Sequence, residues 1–466
     1  MKKVPKILGV ATISMLLVML VQGLWHPIPI KNLAGVSSRT VLVRPSVASL
    51  ADGSWQQQAE KWATRNFGFR EPAIRLYNQY VWSCYHRSTN KGVMRGREGY
   101  LYERYFVEDH YESRMYKYTG SRDEMLARYE TEARRLAKLQ AILQECGTHM
   151  FVCIEPGKNF LYPEYLPPRD TMTRQPGPWA YPEYLHLFDR YGVNYVDVMG
   201  WFAQLKGNVG YELMTPLGTH WSNIAATYAF DSIMRYMQHL GGPAIRPVSL
   251  GTPYTDMTRE PDADLGQLLN LVRTPRQPQC QYVDVSLGPA DSAKRKPSLI
   301  ALGDSFFWNI VYNYPLDTLF DYCHYWYYFN SIFFDPEHDN VSQVDLLESL
   351  AEADYVMLGY CTGQIYDLGN GAISRALLQC CYDDEEVDSV RADIAARIMA
   401  DERWRSRLVA KAEQEGISLE QAILNDANYL IDMQLEEFFP AFAEDGVPAK
   451  RSRKLLLLRD KKTCLP

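Results

Sequence analysis

Pro297-Ser298-Leu299-Ile300-Ala301-Leu302-Gly303-Asp304-Ser305-Phe306-Phe307-Trp308-Asn309 sets a short apolar run, a tight Gly-Asp-Ser turn and a second apolar run in direct succession. The first run reads as a buried strand and the last as the start of a helix. Ser305 is therefore expected where a strand ends and a helix begins, the place where an open α/β sheet binds its ligands. A serine there is a candidate nucleophile, helped by backbone N–H groups that can hold a developing oxyanion, and it still needs a base. The plainer reading of the triplet is an N-cap serine with an aspartate beside it.

Short apolar runs alternate with helical patterns on both sides of this stretch, as in an α/β unit with a largely parallel sheet. The strand candidates are 149–154, 194–198, 298–302, 327–334 and 354–359, and the helices between them include 182–191, 222–240 and 344–351. Ahead of them, 47–85 has helical spacing, the glycines of 92–102 suit a β-hairpin, and 123–146 is an amphipathic helix with Ser121 and Glu124 at capping-box positions. Residues 241–296 hold seven prolines and little periodicity, which predicts a long irregular insertion. Beyond about residue 378 the pattern turns helical, over 384–439. It ends in a basic tail around Leu455–Leu458 that suits either an anionic surface or a solvated, fraying end. The units expected are 1–25, 26–115, 116–379 for the α/β domain, and 380–466. No fixed-period repeat is present.

With 466 residues, 47% hydrophobic and 23% charged, the chain is long enough for a sizeable core and too ordinary in composition for whole-chain disorder or a many-span transporter. The balance of 49 Lys+Arg against 56 Asp+Glu gives −7, without the basic excess that nucleic-acid binding needs. Lys2, Lys3 and Lys6 precede an almost uncharged run, 7–25. This predicts an uncleaved membrane anchor with the bulk of the chain exported, since no small-x-small cleavage site follows the run. A buried core helix is the alternative. The nine cysteines are scattered without a CxxC pair or histidines at ligand spacing, so no metal site is expected.

Thr215-Pro216-Leu217-Gly218-Thr219-His220-Trp221-Ser222-Asn223 puts His220 just before a helix, a good position for a catalytic base carried on a loop. The alternative is a half-buried histidine packed on Trp221. The Glu155-Pro156-Gly157-Lys158-Asn159 loop follows the 149–154 strand and so belongs to the same sheet edge as Ser305. Gly157 or Asn159 is a candidate second oxyanion donor, and Lys158 a candidate contact for a uronate or another anionic sugar; otherwise the loop is a proline-glycine turn with a solvent lysine. Aromatic density is high, at 13%. Phe306, Phe307, Trp308, Tyr312 and 325–328 suit either sugar stacking or core.

Taken together, Gly303-Asp304-Ser305-Phe306, Thr219-His220-Trp221, the Glu155…Asn159…Tyr162-Pro163-Glu164…Leu166-Pro167 loop and Gly96…Gly99-Tyr100-Leu101-Tyr102 resemble the AlgX/AlgJ-like, SGNH-hydrolase-like O-acetyltransferases of bacterial exopolysaccharides. The resemblance runs over roughly 55–370. It implies a three-layer SGNH-like α/β domain, periplasmic or extracellular, that takes acetyl on Ser305 with His220 as base and passes it to polysaccharide hydroxyls. It implies no cofactor, and a membrane-bound O-acyltransferase (MBOAT) partner that exports the acyl group. The family commonly has Asp-x-His-Trp, whereas here Gly218 stands at the aspartate's position. Three outcomes follow: a Ser305–His220 dyad, an orienting carboxylate from elsewhere such as Asp197 or Glu212, or a non-catalytic glycan-binding or assembly component. An acetylesterase of the same fold is a further alternative.

Overall fold

The computed structural model describes residues 3–35, 41–112, 121–167, 180–275, 279–291, 293–444 and 446–463. At its centre is a six-stranded sheet. Its members are β3 (His149–Glu155), β4 (Tyr195–Asp197), β9 (Leu299–Gly303), β10 (Cys323–Tyr327), β11 (Ser331–Phe333) and β12 (Tyr355–Cys361), in the order β11-β10-β9-β12-β3-β4. All neighbours run parallel except β11, which is antiparallel to β10. Strands β3, β9 and β12 are buried along their whole length, which explains why they read as continuous apolar runs.

The order of the strands decides where the site lies. The chain leaves β3 toward β4 on one side and β9 toward β10 on the other, with β12 inserted between them. The carboxyl ends of β3, β12 and β9 thus meet at the switch point, the place where an open α/β sheet binds its ligands. Gly303 and Gly359 pair there so closely that a Cβ on Gly303 would stand 2.0 Å from the Gly359 carbonyl. The Asn223–His239 helix, capped by Ser222, packs on the Phe307–Asn313 helix beside the sheet, and the Arg122–Glu145 helix, capped by Ser121, packs on β3.

Several sequence expectations change in the structure. The 327–334 strand is two strands, because Tyr328 and Phe329 adopt positive φ and turn the chain back on itself. The described residues of the 241–296 insertion form regular elements rather than an irregular loop. They include β5 (Val248–Leu250) paired with β8 (Val285–Leu287), β6 (Tyr254–Asp256) paired with β7 (Cys280–Tyr282), and a short helix, Asp264–Leu268. Phe306, Phe307, Tyr325 and Trp326 are core residues, while Tyr312 is exposed. The basic tail forms the Arg453–Thr463 helix, which buries Leu455 and Leu458; Lys454 and Lys461 pair with Asp345 and Glu352 of this same chain. Seven described cysteines are buried, and Cys464 lies outside the described residues.

Residues Lys3–Trp25 form a helix in which Val10, Ile13, Leu17, Leu20 and Leu24 are exposed. Among the described residues no helix is long and apolar enough to cross a membrane, so the membrane anchor expected over 1–25 is not supported.

Candidate active site

Ser305 follows the end of β9. The turn that carries it is tied down by Asp304, whose Oδ1 accepts from the Phe306 amide at 3.0 Å and whose Oδ2 accepts from the Cys361 amide at 2.9 Å. His220 arrives from the loop before the Asn223–His239 helix. Two bonds stitch the two segments together: Trp221 Nε1–H to the Phe306 carbonyl, and Asn309 Nδ2–H to the Trp221 carbonyl, each 3.0 Å. In the resulting geometry His220 Nε2 stands 2.8 Å from Ser305 Oγ.

The carboxylate on the far side of the imidazole belongs to Asp264. Its Oδ2 lies 2.7 Å from His220 Nδ1, while its Oδ1 accepts from the amides of Thr219 at 2.9 Å and Leu265 at 2.7 Å. These contacts fix the roles: Nδ1–H donates to Asp264, which leaves the Nε2 lone pair to accept the Ser305 hydroxyl. Burial lowers the imidazole pKa, but the charge and hydrogen bond of Asp264, with Glu103 and Asp304 beyond, raise it overall.

Asp264 also explains Gly218. A Cβ on Gly218 would stand 2.6 Å from Thr215 Oγ1 and 2.9 Å from the Asp262 carbonyl, so the segment ahead of Asp264 fills the place a side chain at 218 would need. The Gly266 amide donates to the Leu217 carbonyl at 3.0 Å and holds the two loops in register. The sequence candidates for this role point elsewhere. Asp197 caps the Val198–Leu205 helix and accepts from Tyr181, and Glu212 lines a pocket of about 490 Å³ with Tyr100, Tyr162 and Tyr165. No sequence signal marked Asp264, 44 residues beyond His220 in the insertion.

Lys158 is placed differently from either sequence reading. It is 0% exposed, and its Nζ donates to the carbonyls of Thr215, Pro216 and Gly218 at 2.7, 3.0 and 2.6 Å, with the rings of Tyr100 and Tyr102 beside it. Burial pulls its pKa down to about 7, opposed by Asp264 and Glu212. Three carbonyl acceptors call for the three donors of an ammonium. It therefore faces no sugar and instead fixes the backbone leading to His220, which the hairpin of β1 (Val93–Arg95) and β2 (Leu101–Glu103) also grips through the Leu101 amide and Pro216 carbonyl at 2.8 Å. Lys158→Met leaves three buried carbonyls without a donor, and a loss of at least about 3 kcal/mol of stability is expected. Thermal denaturation of the purified variant checks this.

Gly157 closes against Thr362, where a Cβ would stand 1.9 Å from the hydroxyl oxygen. Asn159 is fully buried, and its side-chain amide has no hydrogen-bond partner among the described residues. Sequence reasoning also missed Glu103, the last residue of β2. Burial pushes its carboxyl up to about 7, against the pull of His220 and with the push of Asp264. Among the described residues no group of side chains could hold a metal ion.

Residues 112–305 match the family model described as the SGNH hydrolase-like domain of acetyltransferase AlgX. Among solved structures the chain is similar to the O-acetyltransferase domain of Pseudomonas putida AlgJ, at 16% identity over 59% of this chain and 92% of that one, with a TM-score of 0.38. AlgX of Pseudomonas aeruginosa is similar at 11% identity over 60% of this chain and 65% of that one, with a TM-score of 0.37. Bacillus cereus PatB1 is similar at 14% identity over 52% and 91%, with a TM-score of 0.33. These structural likenesses are too remote to carry a residue or a substrate across. No curated protein matches the chain. The family likeness read from the motifs holds at the level of a match: the matched stretch, 112–305, takes in His220, Asp264 and Ser305 and is similar to the SGNH hydrolase-like domain of acetyltransferase AlgX.

Proposed function

We propose that the chain O-acetylates a surface or secreted polysaccharide through an acetyl-enzyme on Ser305. The observation that carries this reading is the hydrogen-bonded series Ser305–His220–Asp264 at the switch point of the sheet. In the first half, His220 Nε2 takes the Ser305 proton as Oγ attacks the acetyl carbonyl, and the imidazolium returns that proton to the departing group of the donor. In the second half, Nε2 takes the proton of a sugar hydroxyl, the sugar oxygen attacks the acetyl-serine, and Ser305 leaves with the proton. Asp264 holds the productive tautomer and stabilises the imidazolium throughout. The unpaired Asn159 amide and the Ser305 N–H are the donors offered for the oxyanion.

In this reading the α/β domain lies outside the cytoplasm, and the exposed apolar side chains of the Lys3–Trp25 helix need a non-aqueous neighbour. A membrane-bound O-acyltransferase partner supplying acetyl completes the reading, and it requires no cofactor and no nucleic acid. An esterase is the rival with the same chemistry, in which water takes the place of the sugar. The non-catalytic reading rested on the missing aspartate, whose position Asp264 fills.

Incubating the full-length chain with an activated acetyl ester and an oligosaccharide acceptor separates these. Acetylated sugar that Ser305→Ala abolishes supports the transferase, acetate alone supports the esterase, and neither product returns the binding role to the lead.

A further inference from the structure

Behind Ser305 lie two buried carboxyl groups that the acetyl-transfer steps do not use. Asp304 is 1% exposed and Glu155 0%. They approach the end of β12 from its two neighbouring strands, β9 and β3. The Asp304 amide donates to the Gly359 carbonyl at 3.1 Å, and its Oδ2 accepts from the Cys361 amide at 2.9 Å. On the other side, a Cβ on Gly359 would stand 2.8 Å from Glu155 Oε1, and the Glu155 carbonyl accepts from the Thr362 amide. Both carboxyls thus close on the same few residues of β12.

Neither side-chain oxygen of Glu155 accepts from any donor among the described residues, and no lysine, arginine or histidine there forms an ion pair with Glu155 or Asp304. Two ionised carboxylates buried at the end of the same strand would repel each other at high cost. Burial, followed by the charge of Asp304, pushes the Glu155 carboxyl well above the usual range. Of the other titratable groups around them, Cys153, Cys361, Tyr105, Tyr325, Tyr328 and Tyr360 are pushed up as well and are neutral at neutral pH, while His220 and Glu103 also feel the Asp304 charge.

We propose that Glu155 and Asp304 hold one proton between them, Glu155 as the acid donating to the Asp304 carboxylate, and that this pair positions the turn presenting Ser305. The proton fills one of the lone pairs that Asp304 has left after binding the Phe306 and Cys361 amides. It also limits the charge behind His220 to one, so that the turn is held by a hydrogen-bonded anion. Glu155 is a positioning residue. Its role in turnover rests on the proposed acetyl transfer, but the shared proton does not.

Infrared difference spectroscopy on the full-length chain at neutral pH, wild type against Glu155→Gln, tests the proton directly. A protonated-carboxyl band present in the wild type and absent from the variant is expected, and Asp304→Asn should shift that band. Failure of Glu155→Gln to remove any such band would overturn the proposal, whatever the enzyme does. In turnover, Glu155→Leu is expected to lower kcat about tenfold with KM little changed, through a misplaced nucleophile. Gln, which keeps an N–H for Asp304, should restore most of that loss, and Leu and Gln variants with equal kcat would remove the positioning role.

Discussion

Asp264→Asn is expected to slow acetyl transfer by about 10³–10⁴-fold while the fold persists. The asparagine oxygen can still accept from the Thr219 and Leu265 amides, so the loop keeps its shape. What changes is the partner of His220 Nδ1, which becomes an N–H donor. The imidazole must then carry its proton on Nε2, where it cannot accept the Ser305 hydroxyl. Losing the carboxylate also removes the largest influence that raises the His220 pKa. A base works only when neutral, so activity in the wild type falls as pH drops through a value above the ordinary imidazole range, and in the variant this acid limb moves to lower pH. Restoring the family's aspartate does not help: Gly218→Asp introduces a Cβ 2.9 Å from the Asp262 carbonyl, and in the Asp264→Asn background it should lower stability without restoring rate. Steady-state rates across pH for the two variants and their combination check each part.

Ser305→Ala and His220→Ala should each cost about 10⁶-fold in turnover, and the double variant should be no slower than either alone. The two side chains act as one unit, because the hydroxyl is a weak nucleophile until Nε2 takes its proton. Neither substitution touches the Trp221–Phe306 or Asn309–Trp221 bonds that hold the segments together, so folding should survive. Losses that multiplied in the double variant would mean that serine and histidine act independently. Single-turnover transfer with matched circular dichroism spectra makes the comparison.

The parts of the fold that were legible in the sequence are those with local signals. Strands β3, β9 and β12 are continuous apolar runs, the Arg122–Glu145 and Asn223–His239 helices carry serine caps, and the Gly-Asp-Ser turn lies between a strand and a helix as its composition requires. Asp264 left no such mark. The strands around it are three residues long, too short for alternation to show, and the prolines between them imitate irregular chain. Gly218 was legible as a departure, but its compensation depends on a contact across 44 residues that only tertiary packing creates. Lys158 was obscured for a related reason. A lysine in a polar loop reads as solvated, and the three carbonyls that take it inside come from residues 57–60 positions away. Glu155 and Asp304 were each visible as residues, but not as neighbours, because they come together only when β12 enters between their strands.

The acetyl-serine can be observed without knowing the acceptor. Full-length wild type, Ser305→Ala and Asp264→Asn are exposed briefly to an activated acetyl ester, quenched in acid, and examined by intact mass and peptide mapping. One added acetyl group on the peptide containing Ser305 in the wild type, slowed in Asp264→Asn and missing from Ser305→Ala, is the expected result. An unmodified wild type, or an acetyl group that persists in Ser305→Ala, would contradict the assignment of Ser305 as the nucleophile.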